Sequence, residues 1–224
     1  RVQRFEGYCQ FHAISKKGAP TPFDKNADGF LPGEGAAVCV LKRADDALRD
    51  QDEIYSIIRG VGSSSDGERK SLYRPSADGL SLAMNRALEE SQIPSTSIRF
   101  VECHGGGTPS GDATETAALQ AAYGNSGENP ELMLTTVKSN LGHTQGAAGA
   151  ISLVKAALSL KHELVPATAG FTEASEQFGF DQEFRVTAQT QTLGEPRAGQ
   201  THTGAVSAMG LGGINYHVIL QQFA

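Results

Sequence analysis

The 224-residue sequence predicts an α/β fold, and three observations predict it. Strand-like runs alternate with segments whose apolar residues recur at helical spacing, the pattern of a layered α/β domain. Two of the strand-like runs end beside a histidine flanked by glycine, with a helix starting shortly after each. The last two, at 203–207 and 216–221, flank a glycine-dense turn, Gly210-Leu211-Gly212-Gly213.

In chain order, residues 1–34 are polar and rich in turn formers, notably Lys17-Gly18-Ala19-Pro20, Pro22 and Asn26-Ala27-Asp28-Gly29. Residues 36–41 (AAVCVL) and 54–61 (IYSIIRGV) read as strands, with the charged stretch 42–53 crossing the surface between them. Residues 62–77 read as a loop, with Ser63-Ser64-Ser65-Asp66-Gly67 at its start. A helix fits 78–91, where Leu80, Ala83, Met84, Ala87 and Leu88 share a face. The run 98–103 (IRFVEC) is a strand. The next helix is expected to start at Asp112, with Glu115 three residues on in a capping-box arrangement, and to stop at Gly124. A strand over 132–137 leads into Lys138 and His143. A helix then begins within 146–150 and runs to about 160, with Ile151, Val154 and Leu158 on one stripe and Lys155 as its only interior charge. That helix is expected to be buried on most sides.

Composition narrows the function. The formal charge is −6 and the pI is near 5.5, with no basic stripe, which argues against a nucleic-acid partner. The longest apolar run is far too short to span a bilayer. Cys9, Cys39 and Cys103 are too few and too scattered for a disulfide framework or a zinc knuckle, and fit a reducing, cytoplasmic setting. The chain opens on Arg1-Val2-Gln3-Arg4 with no initiator methionine, so it is expected to be a piece of something longer.

Functional residues of open α/β folds gather at strand ends, and the glycines beside His104 and His143 let backbone N–H groups and a ligand approach closely. One such histidine is more often a hydrogen-bonded structural residue; two in equivalent positions, one with Lys138 five residues upstream, point to a site. The turn at 210–213 reads equally well as an oxyanion hole of backbone N–H groups or as a tight turn needing positive φ. Neither glycine run matches a phosphate-binding fingerprint. A metal site or a nucleophile at Cys103 is disfavoured, because neighbours on a strand point to opposite faces. Asp112 and Glu115 read as structural support. His12, His162, His202 and His217 lack supporting context.

Four segments carry a family resemblance. Residues 101–115 (VECHGGGTPSGDATE), 137–149 (VKSNLGHTQGAAG) and 206–218 (VSAMGLGGINYHV) resemble the VEAHGTGTxxGDxxE, VKSNxGHTxxAAG and VSSFGFGGTNAHV motifs of β-ketoacyl synthases. Residues 22–35 (PFDKNADGFLPGEG) resemble the PFDxxADGFxxGEG segment of polyketide synthase ketosynthases. The resemblance implies a thiolase-like αβαβα fold of two similar halves, usually a homodimer. Residues 1–68 would be the end of the first half and residues 69–224 the second half with the site.

It further implies decarboxylative condensation of an acyl thioester with malonyl carrier protein. His104, His143 and Lys138 would be the catalytic residues, Lys138 tuning the histidines through a hydrogen-bonded carboxylate or water. The Leu211 N–H, flanked by Gly210 and Gly212, would supply half of the oxyanion hole and the gate. Thr108 and Gly106 would line the pantetheine arm. No bound cofactor or metal is implied; the substrates ride on the phosphopantetheine of an acyl carrier protein, and the nucleophilic cysteine lies in a segment upstream of this chain.

The sequence departs from the motifs at Gly106 (threonine), Met209 and Leu211 (phenylalanines), Ile214 (threonine) and Tyr216 (alanine). Ser64-Ser65-Asp66-Gly67 with Ser71-Leu72-Tyr73-Arg74-Pro75 looks more like iterative synthases than modular ones. A chain-length-factor-like partner subunit is the rival reading, and both histidines argue against it. A degradative thiolase would carry a second reactive cysteine near the C-terminus, where this sequence has none.

Overall fold

The computed structural model describes residues 2–68, 74–124, 132–180, 184–196 and 199–223. In chain order the elements are helices α1 (Val2–Gln10) and α2 (Ala44–Arg49), strand β1 (Ile57–Ser65), α3 (Ala77–Ser91), β2 (Ile98–Glu102), α4 (Pro109–Tyr123) and β3 (Leu132–Thr135). There follow the single-turn α5 (Lys138–Leu141), α6 (Ala148–His162), β4 (Leu164–Val165), β5 (Phe184–Val186), β6 (Gln191–Thr192), β7 (Thr203–Gly210) and β8 (Ile214–Gln221). No helix among the described residues is long and apolar enough to cross a membrane.

Six strands form one sheet in the order β1-β8-β7-β2-β3-β5. The pairs β7–β2, β2–β3 and β3–β5 are parallel, whereas β8 runs antiparallel to both β7 and β1. The C-terminal ends of three adjacent parallel strands, β7, β2 and β3, therefore lie side by side, where crossover connections leave a crevice. β4 and β6 make a separate two-stranded sheet.

Both faces of the large sheet are covered. On one, Leu80, Met84 and Ala87 of α3 and Ala118, Leu119 and Tyr123 of α4 pack on Val101, Leu134, Ala205 and Ile219. On the other, Ala156 and Leu160 of α6 pack on Phe100, Met133, Val206 and Leu220. The backbone of α3 sits directly on β1: a Cβ at Gly62 would fall 1.8 Å from the Ala83 carbonyl oxygen. Neither backbone can yield without opening the interface, so Gly62→Ala is expected to cost about 3 kcal/mol, the upper part of the overpacking range. The urea midpoint of the variant measures it.

Several expectations are corrected. Residues 2–10 form α1, which the turn-rich composition of the first 34 residues masked. Residues 36–41 are not a strand: they have no ladder partner among the described residues, and Val38, Val40 and Leu41 are 87%, 91% and 72% exposed. Residues 54–61, expected with the first half of the fold, instead lead into β1, which extends through Ser65 and is hydrogen-bonded to β8 in the sheet that carries both histidine loops. The loop expected from Gly62 onward therefore opens only at Asp66, and residues 71–73 lie outside the described residues.

Helix α6, expected to be buried on most sides, buries one face only. Ala148, Ser152, Ala156 and Ser159 are buried, because small side chains let the helix approach the sheet closely, while Leu158 is exposed and Ile151 and Val154 are only partly covered. The segment before β1 is laced to residues that follow it. Gly29 N–H donates to the Gly107 carbonyl at 2.9 Å, Phe23 N–H to Asp112 at 2.8 Å, and Thr172 N–H to Asp24 at 2.7 Å.

Candidate active site

The loop after β2 is held open by two buried carboxylates. Glu115 accepts the His104 N–H on one oxygen and the Gly105 N–H on the other, each at 2.7 Å. Asp112 accepts the Gly107 N–H at 3.0 Å and the Phe23 N–H at 2.8 Å. The capping-box expectation is corrected: α4 starts at Pro109 with Thr108 as N-cap, without a side-chain cap bond, and Asp112 and Glu115 face the loop instead. Burial pushes Asp112 up to about 6 and Glu115 up to about 7, against the N–H groups that stabilise each carboxylate. Gly105 (φ +43°) is required here, since a Cβ would also meet Thr136 at 2.7 Å.

His143 is fixed from the segment before β1. Its N–H donates to Leu31 at 2.7 Å, its carbonyl accepts the Gly33 N–H at 2.9 Å, and the Phe30 ring stands edge-on to the imidazole at 5.3 Å. The His104 and His143 rings lie 5.3 Å apart at an interplanar angle of 77°. Each accepts a backbone N–H on Nδ1 at 3.2 Å, His104 from Met209 on β7 and His143 from Gln145. A nitrogen that accepts an N–H carries no proton, so each neutral ring has its proton on Nε2.

Burial, then the Lys138 ammonium and His143, hold His104 well below the ordinary imidazole range. Burial and then Lys138 bring His143 down to about 4. Both rings are therefore neutral at pH 7.

Lys138 heads α5 and is 2% exposed. Among the described residues no carboxylate forms an ion pair with it. Burial lowers its proton affinity, while Glu102, Glu115, Cys103 and Asp112 act the other way. His104, Lys138, His143, Ser152, Met209 and Gly210 share the lining of one cavity of about 250 Å³. The structure brings the three residues singled out in the sequence to one cavity.

Leu211 and Gly212 lie outside the lining, at the tip of the β7–β8 hairpin, with Leu211 75% exposed. The Gly213 N–H closes the turn on the Gly210 carbonyl at 3.0 Å, and Gly212 takes the positive φ (+93°) that the turn demands. Thr108 and Gly106 also lie outside the lining. At Gly106 φ is not in the left-handed region, and a Cβ would meet only the His104 ring, at 3.8 Å. Gly106→Thr is therefore expected to leave the thermal midpoint within a few degrees of wild type, which a melting curve checks.

Cys103 is buried in the core on the α3/α4 side, as its strand position implied. His217, set aside on sequence, is buried between Tyr123 Oη at 2.6 Å and Ser207 Oγ at 2.9 Å. Sequence reasoning missed Phe30, Leu31, Gly33 and Gln145 around His143, and Glu102. The resemblance at residues 22–35 marked the first three without assigning them a role.

A family model described as "Beta-ketoacyl synthase, C-terminal domain" matches residues 55–172, and the corresponding "N-terminal domain" model matches residues 2–47. The chain is 39% identical over 209 residues to a mycocerosic acid synthase-like polyketide synthase of Mycolicibacterium smegmatis, covering 93% of this chain and 10% of that protein. It is 37% identical over 222 residues to the polyketide synthase PksN of Bacillus subtilis, covering 97% of this chain and 4% of that one.

Among solved structures, the ketosynthase from module 6 of the bacillaene synthase of Bacillus subtilis matches with a TM-score of 0.95 at 33% identity, over 100% of this chain and 41% of that one. The PfaC keto synthase-chain length factor matches with a TM-score of 0.86 at 35% identity, over 97% and 23%. The fold and the paired histidine loops define part of a thiolase-like ketosynthase domain. The chain belongs to the β-ketoacyl synthase family, and it spans about a tenth of the length of the first curated relative.

Proposed function

We propose that this chain supplies the decarboxylating part of a condensing ketosynthase in polyketide or fatty acid biosynthesis. The observation that carries the reading is the pair of neutral imidazoles 5.3 Å apart, each with Nδ1 occupied and Nε2–H left for the shared cavity. The malonyl thioester carbonyl would sit between the two Nε2–H donors. As the bond to the carboxylate breaks and CO₂ leaves, the electron pair passes to that oxygen, and the two donors and the nearby Lys138 ammonium stabilise the enolate. The enolate carbon then attacks an acyl thioester on a cysteine of the first half; the new C–C bond forms and the thiolate leaves.

The Leu211 N–H would serve the oxyanion of that second step, with Gly210 and Gly212 shaping its turn. Thr108, and the space at Gly106, would face the pantetheine arm. Asp112 and Glu115 act as structural support. The partners implied are an acyl carrier protein bearing phosphopantetheine, adjacent synthase domains and a second copy in a homodimer, in a cytoplasmic setting. Residues before β1 would close the first half of the domain. The exposed Val38, Val40 and Leu158 are the side chains it would cover.

A full-length protein supplied with an acyl donor and malonyl carrier protein tests the reading. Mass analysis of the carrier arm is expected to find a β-ketoacyl thioester two carbons longer than the donor. Neither product nor CO₂ would leave the chain-length-factor-like role as the better account.

A further inference from the structure

Charges on the α6 side of the sheet have no part in the chemistry above. Glu102 closes β2 and is fully buried. Its Oε1 accepts the Val137 N–H at 2.7 Å and the Ser152 hydroxyl at 3.2 Å. Its Oε2 lies 2.8 Å from Lys155 Nζ, an ion pair without hydrogen-bond geometry, and Nζ instead donates to Thr135 Oγ1 at 2.7 Å. Lys155 is 11% exposed at the side chain, on a helix face otherwise formed by Ala156, Leu160 and small residues.

Glu102 also acts on Lys138, as Glu115 and Asp112 do, and each favours its charged form. One buried carboxylate thus pairs with Lys155 and also acts on the buried Lys138, and Val137, whose N–H it holds at 2.7 Å, directly precedes Lys138. In a low-dielectric interior a carboxylate released from one ammonium moves to the other.

We propose that Lys155 is a positioning residue for the histidine pair: by binding Glu102 it keeps that carboxylate off Lys138, whose ammonium then keeps its charge directed at His104 and His143. The inference rests on the reading of the two histidines as the decarboxylating pair. The groups facing Lys138 are Glu102 from β2, Cys103 and His104 from the loop after it, Asp112 and Glu115 from α4, and His143 from the loop after α5. His143 is faced by Lys138 and by the His104 ring, with no carboxylate acting on it. Pairing Lys138 with Glu102 would cancel the one full positive charge that opposes a proton on His143.

The test uses the full-length protein with Lys155→Met, Lys155→Gln, Lys155→Arg and the double variant Lys155→Met/Glu102→Gln. Two quantities are read: the pH profile of CO₂ release from malonyl carrier protein, and the pH midpoint of carbethoxylation of His143 by diethylpyrocarbonate, followed by peptide mass analysis. Lys155→Met and Lys155→Gln are expected to raise the acid limb and the midpoint by about one pH unit, the size of shift that a single nearby charge produces. The arginine and double variants are expected to stay at the wild-type values.

A purely structural role would lower the melting temperature of the Met variant without moving either pH value, and that result overturns the inference. Lys155→Gln removes the charge but keeps a polar side chain, and it carries the comparison if the Met variant does not fold. A wild type that releases no CO₂ sinks the decarboxylation reading, yet the carbethoxylation midpoint still decides the role of Lys155.

Discussion

His104→Ala and His143→Ala, each made in the full protein, are expected to lower CO₂ release from malonyl carrier protein by about 10²–10³-fold, the cost of removing one preorganised oxyanion donor. The binding constant for the malonyl carrier should change little, since the donors strengthen as charge develops on the thioester oxygen and contribute less to the ground state. The two changes are not expected to add, because both rings serve one oxygen. His104→Ala has a further consequence. It frees the Met209 N–H, which is bonded to Nδ1 at 3.2 Å, and so loosens the β7–β8 hairpin that presents Leu211. Condensation should therefore fall further than decarboxylation in that variant and in step with it in His143→Ala. Labelled CO₂ release and β-ketoacyl formation, measured side by side, separate the two effects.

Glu115→Ala is expected to be the most damaging change that touches no substrate. The side chain is fully buried and satisfies the N–H groups of both His104 and Gly105. Losing it leaves two buried donors unpaired at about 1–3 kcal/mol each, and opens a void in the first turns of α4. A loss of about 4 kcal/mol in urea unfolding is expected, together with loss of activity as the His104 backbone moves. Glu115→Gln is no rescue, since its amide presents one acceptor and one donor to two N–H donors. A Glu115→Gln protein with wild-type stability and rate would refute this account of the loop.

Much of the site was legible because its chemistry sits in short local segments. His104, His143 and Lys138 each follow a strand, with glycine beside both histidines, and strands β2 and β3 lie within the runs expected at 98–103 and 132–137. What escaped was tertiary. Asp112 and Glu115 have the spacing of a capping box, and only the path of the loop from Cys103 to Gly107 shows that they hold backbone N–H groups from outside the helix. The stripe Ile151, Val154 and Leu158 is the more apolar side of α6, yet the sheet takes the small-residue side because close approach gains more contact there. Residues 36–41 have strand composition but no ladder among the described residues. The hold of Leu31, Gly33 and Phe30 on His143 joins residues more than a hundred positions apart, which no periodicity encodes.

Global stability against pH is a poor reporter of the site. His143, depressed from 6.5 to about 4, gives stability that is present above pH 6.5 and is lost as the pH falls through about 4. Asp112 and Glu115, raised from 3.8 to about 6 and from 4.5 to about 7, act in the opposite sense across much of the same window, stabilising the fold as the pH falls. The central claim is that two neutral Nε2–H imidazoles share one cavity, and site-resolved ¹⁵N-histidine NMR across pH 3.5–8 reads it directly. The account predicts that both rings carry their proton on Nε2 at pH 7 and that His143 gains a second proton only near pH 4. An Nδ1–H form of either ring at pH 7, or a His143 that titrates at the ordinary 6.5, would contradict it.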